Sequence, residues 1–216
     1  MATPASRLRP IDSLEALVLV DNVTDSLSTV PAGVVNEHGR LLQAGMKEMS
    51  GEAKCCAHHG LSLVLAARAG RETRFVMFDA GPEAYTVERN GRLLGVPFAE
   101  IEAIALSHGH WDHAGGLVEA VRRVFKDNGG RRVPLHLNEG MLARRGMTLA
   151  DGSCLPMKEV PRPAELSAAG AEVVVSPQAR LLGGDCFHLS GEVPRVTTYE
   201  KGLPGHMARG ADGSTW

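Results

Sequence analysis

The stretch "ALSHGHWDHAGGL", residues 105–117, constrains this chain more than any other. His108, His110, Asp112 and His113 fall within six positions of one another, directly after the apolar run "EAIALS" (102–107). Four such side chains in this order are hard to explain as packing. The run before them reads as a strand, and "GGLVEAVRRVFKDNGG" after them has apolar residues at 117, 118, 121 and 124, which is helical spacing. The chain must therefore pass from strand to helix through a loop that carries metal-ligand chemistry. In an extended segment, residues two apart point the same way, so His108 and His110 can reach one ion from one side. Asp112 and His113 follow where the chain turns and can face a second ion. Imidazole nitrogen and carboxylate oxygen suit zinc. Two ions roughly 3.5–4 Å apart can bridge a water and aim it as hydroxide. Gly109, Gly115 and Gly116 let the backbone bend tightly there.

The surrounding chain reads as strands with interspersed helices. "EALVLV" (15–20) predicts a buried strand, and "LSLVLAAR" (61–68) with "RFVMFD" (74–79) predicts a hairpin. "PEAYTVERNG" (82–91) and "PRPAELSAAG" predict short helices, "VPLHLN" (133–138) and "AEVVVS" (171–176) further strands. "MTLADGSCLPM" predicts a hairpin turning at Asp151-Gly152, and "ARLLGGDCFHLS" (179–190) one more strand pair. Residues 25–54 read as a long connection and the chain after about 191 as polar and irregular. The class is α/β or α+β, in a single domain over 1–216.

Composition excludes several functions. The formal net charge is −2, with no clustered Lys and Arg, so nucleic acid is not an expected partner. "LEALVLV" is too short to span a bilayer, and "MATPASRLRPIDS" lacks the apolar core of a signal peptide. The expectation is no membrane partner and a cytoplasmic location. Cys55, Cys56, Cys154 and Cys186 include no CxxC pair and no disulfide framework, so reduced thiols are expected.

His-x-His-x-Asp-His followed by Ala-Gly-Gly resembles the signature of the metallo-β-lactamase superfamily, and "HGHWDHAGGL" matches it without a gap. "FDAG" (78–81) resembles the Asp-Thr-Gly strand end that precedes that signature, with Ala80 in place of Thr. "VDNVTD" (20–25), "HHGLS" (58–62) and "SGEVPR" (190–195) resemble the subgroup similar to dihydropterin-(ribofuranosyl)aminobenzene-phosphate synthase. The resemblance implies an αββα sandwich with metals at one edge between two sheets. It implies that His108 and His110 hold a first zinc and Asp112 and His113 a second. Asp112 would also orient the nucleophilic water or accept its proton. Asp79 would hydrogen-bond the motif loop, or is a plain strand-end turn residue. Asp21, Asn22, His59, Ser190, Glu192 and Arg195 are candidate substrate contacts by the same resemblance; turn capping at Asp21-Asn22 and a salt-bridged loop at 190–195 are the alternatives.

The implied activity is hydrolysis of a small, anionic metabolite by metal-activated water, with two Zn2+ and with Fe or Mn as alternatives. His110 stands where di-iron relatives carry Glu, which favours zinc-type hydrolysis, although iron-dependent dioxygenase relatives keep His. The resemblance also implies a third His for the first metal, a bridging Asp and a further His, all from a later portion of the chain. "ARGADGSTW" ends in what reads as mid-loop, so the expectation is the N-terminal part of the sandwich, lacking its C-terminal portion. His136, His188, His206 and Asp185 are the only local substitutes, with His188 read as a strand-surface residue and His206 as a loop residue. Each ion would then be short of ligands and weakly held. A non-catalytic truncated relative with a partial metal site is the alternative. An uncovered sheet face would favour a homodimer or self-association.

Overall fold

The computed structural model describes residues 7–23 and 28–209. Its centre is a six-stranded sheet in the order β1-β2-β3-β4-β5-β8. β1 (Ser13–Val20), β2 (Ser62–Ala69) and β3 (Glu72–Phe78) form an antiparallel meander. β4 (Ile101–Ala105), β5 (Val133–Leu137) and β8 (Ala171–Val175) continue it in parallel from β3. Parallel neighbours need crossovers, and helices supply them. α2 (Ala84–Leu93) leads from β3 to β4, α4 (Leu117–Asp127) from β4 to β5, and α5 (Pro163–Ala169) into β8.

The helices cover one face of the sheet. Leu117, Ala120, Val121 and Val124 of α4 are buried at helical spacing against Met77, Ile104 and Leu135. Each large aliphatic side chain buried this way contributes about 2 kcal/mol. Val76, Ala103 and Ala105 project from the opposite face and meet Leu182 from a two-stranded hairpin, β9 (Arg180–Leu182) with β10 (Phe187–Leu189). Cover on that face stops short of β1, where Leu14 and Val18 are 58% and 48% exposed. β1 is thus an exposed edge strand for most of its length, not the buried strand that its apolar run predicts.

A second, three-stranded sheet has the order β11-β6-β7. β6 (Arg145–Thr148) and β7 (Cys154–Pro156) form the hairpin expected around Asp151-Gly152. β11 (His206–Ala208) lies in the stretch expected to be irregular. A helix, α1 (Glu37–Gln43), also occupies the expected long connection; Asn36 caps it by accepting from Gly39 N at 2.9 Å. α1 buries only Leu41, so its sequence shows no amphipathic period. A single turn, α3 (Trp111–Ala114), completes the set. Among the described residues no helix is long and apolar enough to cross a membrane. All four cysteines are free thiols.

Candidate metal centre

The site stands at the carboxyl end of β4, where open α/β sheets place their ligands. Ser107 follows the strand and is fixed by a buried carboxylate from its neighbour: Asp79, just past β3, accepts from Ser107 N at 2.7 Å and from Ser107 Oγ at 2.7 Å. Asp79 is fully buried, with φ at 59°, a left-handed backbone that non-glycine residues adopt at a cost. Its own amide donates to Ala105 O, and its carbonyl accepts from Ser62 Oγ at 2.9 Å.

His108 and His110 do lie on one side of the extended chain. Their rings are 4.6 Å apart, and His108 Nε2 sits 2.9 Å from His110 Nδ1. Asp112 and His113 belong to α3, for which His110 is the N-cap. The motif therefore divides at His110 into an extended half and a helical half. His113 swings back toward His108, ring to ring at 4.2 Å, and its Nδ1 meets Asp79 Oδ2 at 2.7 Å. Its Nε2 is 3.6 Å from Asp112 Oδ2.

These contacts assign tautomers. His113 donates Nδ1–H to Asp79, leaving the lone pair on Nε2. Ser107 donates to Asp79 Oδ2, so its oxygen accepts Nδ1–H from His108 at 2.9 Å. His108 too then keeps its lone pair on Nε2, facing the cluster. One buried carboxylate thus orients two imidazoles, a pattern found behind metal-ligating histidines. Burial, then the neighbouring His113, holds His108 below its usual pKa. Burial, with His108 and His206 beside it, pushes His110 down to about 4. The hydrogen bond to Asp79 raises His113.

The motif glycines serve close approach, not unusual torsion. Gly115 and Gly116 have ordinary negative φ. A Cβ on Gly115 would strike the Pro82 carbonyl, one on Gly116 the Ala80 carbonyl, and one on Gly109 the Met141 carbonyl. Backbone bonds lock the same contact: Ala80 N donates to His113 O at 2.9 Å and Gly116 N to Gly81 O at 3.1 Å.

The other sequence candidates divide. His59 reaches the cluster, with Nε2 3.4 Å from Asp112 Oδ2 and its side chain 69% exposed. Asp21 lines a groove of about 920 Å3 between β1 and α1 that no motif residue lines. Its carboxylate accepts from Asn22 N at 2.7 Å, the Asx capping geometry. Ser190 donates to Gly191 O, Glu192 N donates to Pro177 O, and Arg195 lies against Gly202, so the contacts seen for these three are local. His136 is buried beneath the β9–β10 face, while Asp185 and His188 are exposed on that hairpin.

Two residues join the site that the sequence did not single out. Arg145 on β6 donates to the carbonyl oxygens of Gly109 at 2.9 Å, Met141 at 3.0 Å and Ala143 at 2.8 Å, pinning the motif loop to the second sheet. Ser107 is the other, and its place immediately before the first motif histidine was the available signal. His206 of β11, read from sequence as a loop residue, comes within 4.8 Å of His110, ring centre to ring centre.

Among the described residues no group of three or more His, Cys, Asp and Glu side chains stands placed to hold a metal ion. The donor set nonetheless fits one. Two nitrogens each about 2.0–2.1 Å from a tetrahedral zinc lie about 3.3 Å apart. The 2.9 Å between His108 and His110 needs to open by only a few tenths of an ångström. The 3.4 Å and 3.6 Å separations around Asp112 Oδ2 are already of that size.

The family model described as the metallo-beta-lactamase superfamily matches residues 59–196. The chain belongs to the metallo-beta-lactamase superfamily. Within it, residues of this chain are 31% identical over 71 positions to the 7,8-dihydropterin-6-methyl-4-(beta-D-ribofuranosyl)-aminobenzene-5'-phosphate synthase of Methanocaldococcus jannaschii. That match spans 33% of this chain and 24% of the relative, and it supports the subgroup resemblance. Similar solved structures include a subclass B3 metallo-beta-lactamase isolated from a soil metagenome library, at 20% identity and TM-score 0.33, covering 59% of this chain and 44% of that one. The Rm3 metallo-beta-lactamase matches at 21% identity and TM-score 0.34, covering 58% and 43%. This chain thus spans less than half the length of the superfamily structures it matches.

Proposed function

We propose that this superfamily member is a metal-dependent hydrolase of a small anionic metabolite. One observation carries the reading: Asp79, through Ser107 and directly, sets both His108 and His113 with Nε2 lone pairs facing one cluster that also holds His110 and Asp112. A core histidine needs no such relay; a ligand histidine does. His108 and His110 would hold a first ion, and Asp112 with His113 a second. Zinc is the first choice because the donors are imidazole and carboxylate with no thiolate, while iron or manganese would accept the same set. Such an ion, once bound, lowers the pKa of a coordinated water and so supplies hydroxide near neutral pH.

The chain's own residues do the rest. Asp112 Oδ2, which lies near both His59 and His113, would orient the attacking water and take its proton. Asp79 holds the ligand rings, and Arg145 holds Gly109, so the loop need not reorganise as charge develops. His59 stands at the exposed rim, where it would meet an anionic substrate. The relative is named as the synthase of a dihydropterin-containing 5'-phosphate, which supports a phosphorylated or pterin-like substrate.

The test is hydrolysis of a chromogenic phosphodiester by the zinc- or manganese-loaded chain, against its Asp112→Asn variant. The expected result is turnover that falls at least about 100-fold in the variant, the size of effect of a lost general base. Equal turnover in both would remove Asp112 from the mechanism, and no turnover with any phosphate ester would exclude that substrate class.

A further inference from the structure

Trp111 is a large aromatic side chain at the cluster that neither core of the fold uses. Aromatic residues are scarce in this chain, 4% of the sequence, and Phe75, Phe78, Phe98 and Phe187 each serve one of the two hydrophobic cores. Trp111 is half-buried, yet among the described residues it belongs to neither core. It opens α3, a four-residue turn whose N-cap, His110, makes no side-chain cap bond. Tryptophan is not a strong helix former, so the turn itself gains little from it.

Its surroundings point toward a ligand. His59 approaches both Trp111 and Asp112: its ring centre is 6.0 Å from the indole centre, and its Nε2 is 3.4 Å from Asp112 Oδ2. His59 is thus the corner where an aromatic surface meets the carboxylate of the cluster. The two rings are inclined at 41°. Aromatic pairs that satisfy each other lie offset-parallel or edge-to-face. This pair does neither, so His59 leaves the indole face uncovered. The His59 side chain is 69% exposed, so its side of the wedge is open to solvent.

We infer that Trp111 is a specificity-determining residue that stacks the planar ring of the substrate, with His59 at the ring's edge. The ligand class is a planar heteroaromatic anion. An indole face accepts a flat π-system whatever its substituents, and the anionic group then reaches past His59 toward the cluster. The inference deepens the proposed function and rests on it, because a ring held at Trp111 bears on substrate choice only if the neighbouring cluster is the reacting centre. It selects a flat ring over an aliphatic acid or a simple sugar phosphate, a choice that the candidate ligands alone do not make.

The test is calorimetric titration of the zinc-loaded 216-residue chain with two carboxylate probes, flat pterin-6-carboxylate and puckered cyclohexanecarboxylate. Wild type, Trp111→Phe and Trp111→Leu are compared, and zinc affinity is read for each by competition with a chromogenic chelator. The expected result is that wild type binds the flat probe at least about 10-fold more tightly than the puckered one. Trp111→Leu should abolish that preference, and Trp111→Phe, which keeps an aromatic face, should retain most of it, with zinc affinity equal in all three. Equal binding of the two probes by wild type would overturn the inference, as would a preference that Trp111→Leu leaves unchanged; either result with zinc retained leaves the proposed function standing. A Trp111→Leu variant whose zinc affinity falls along with its preference would overturn it too, because the loss would then be damage to the motif loop. A wild-type chain that holds no zinc would overturn the proposed function and the inference with it.

Discussion

Asp79 is the residue on which the site turns. It is fully buried, sits in a left-handed backbone conformation, and accepts from Ser107 N, Ser107 Oγ and His113 Nδ1. Asp79→Asn keeps the shape but replaces an acceptor oxygen with a donor, so either His113 or Ser107 loses its partner. Zinc affinity, read by competition with a chromogenic chelator, should weaken about 10- to 100-fold while the fold persists. His136 supplies a second prediction. It is 6% exposed, neither ring nitrogen has a hydrogen-bond partner among the described residues, and burial with Arg180 nearby pushes it down to about 4. A folded-state value below the unfolded value of about 6.5 means that the unfolded chain binds more protons in between. Stability is therefore full above about pH 6.5 and is lost as pH falls toward 4, by up to about 3 kcal/mol. Denaturant midpoints at pH 8 and pH 5 should differ strongly in wild type and less in His136→Leu. At this scale the motif was legible because its candidate ligands are adjacent in sequence. Arg145 was not, because only its contact with Gly109 gives it meaning, and His206 was named only as one of four local substitutes, without the strand that carries it.

The strand-loop-helix element from β4 through α3 to α4 holds the proposed ligands by backbone contact with the turn after β3. Gly116 lies where a Cβ would meet the Ala80 carbonyl, Val87 Cγ2 at 2.7 Å and Glu83 O at 3.0 Å. Two of those neighbours are backbone and cannot rotate away. Gly116→Ala should lower stability by about 1–3 kcal/mol and displace His113, whose carbonyl bonds Ala80. Thermal melts would read the first effect and zinc affinity the second. The elements with clear periodicity, α4 above all, were legible because one face is buried against the sheet. α1 and β11 were not: α1 buries one residue and β11 is three residues long, so neither leaves a repeating pattern. β1 was readable as a strand, but its exposure was not, since an apolar run reads alike at a sheet's edge and at its centre.

The whole molecule joins two sheets at the proposed metal position. The six-stranded sheet supplies Asp79 and the motif loop, and the three-stranded sheet supplies Arg145 and His206. Fold class and superfamily followed from one gapless signature between a strand and a helix, and the family model confirms the superfamily over residues 59–196. The meeting of the two sheets was hidden, because it depends on strands far apart in the chain. The most direct measurement is metal content by elemental analysis after zinc loading and dialysis, for wild type beside His108→Ala and His113→Ala. The account predicts zinc retained in stoichiometric amount by wild type and reduced in each variant. Wild type stripped to the level of a protein without the motif would contradict it.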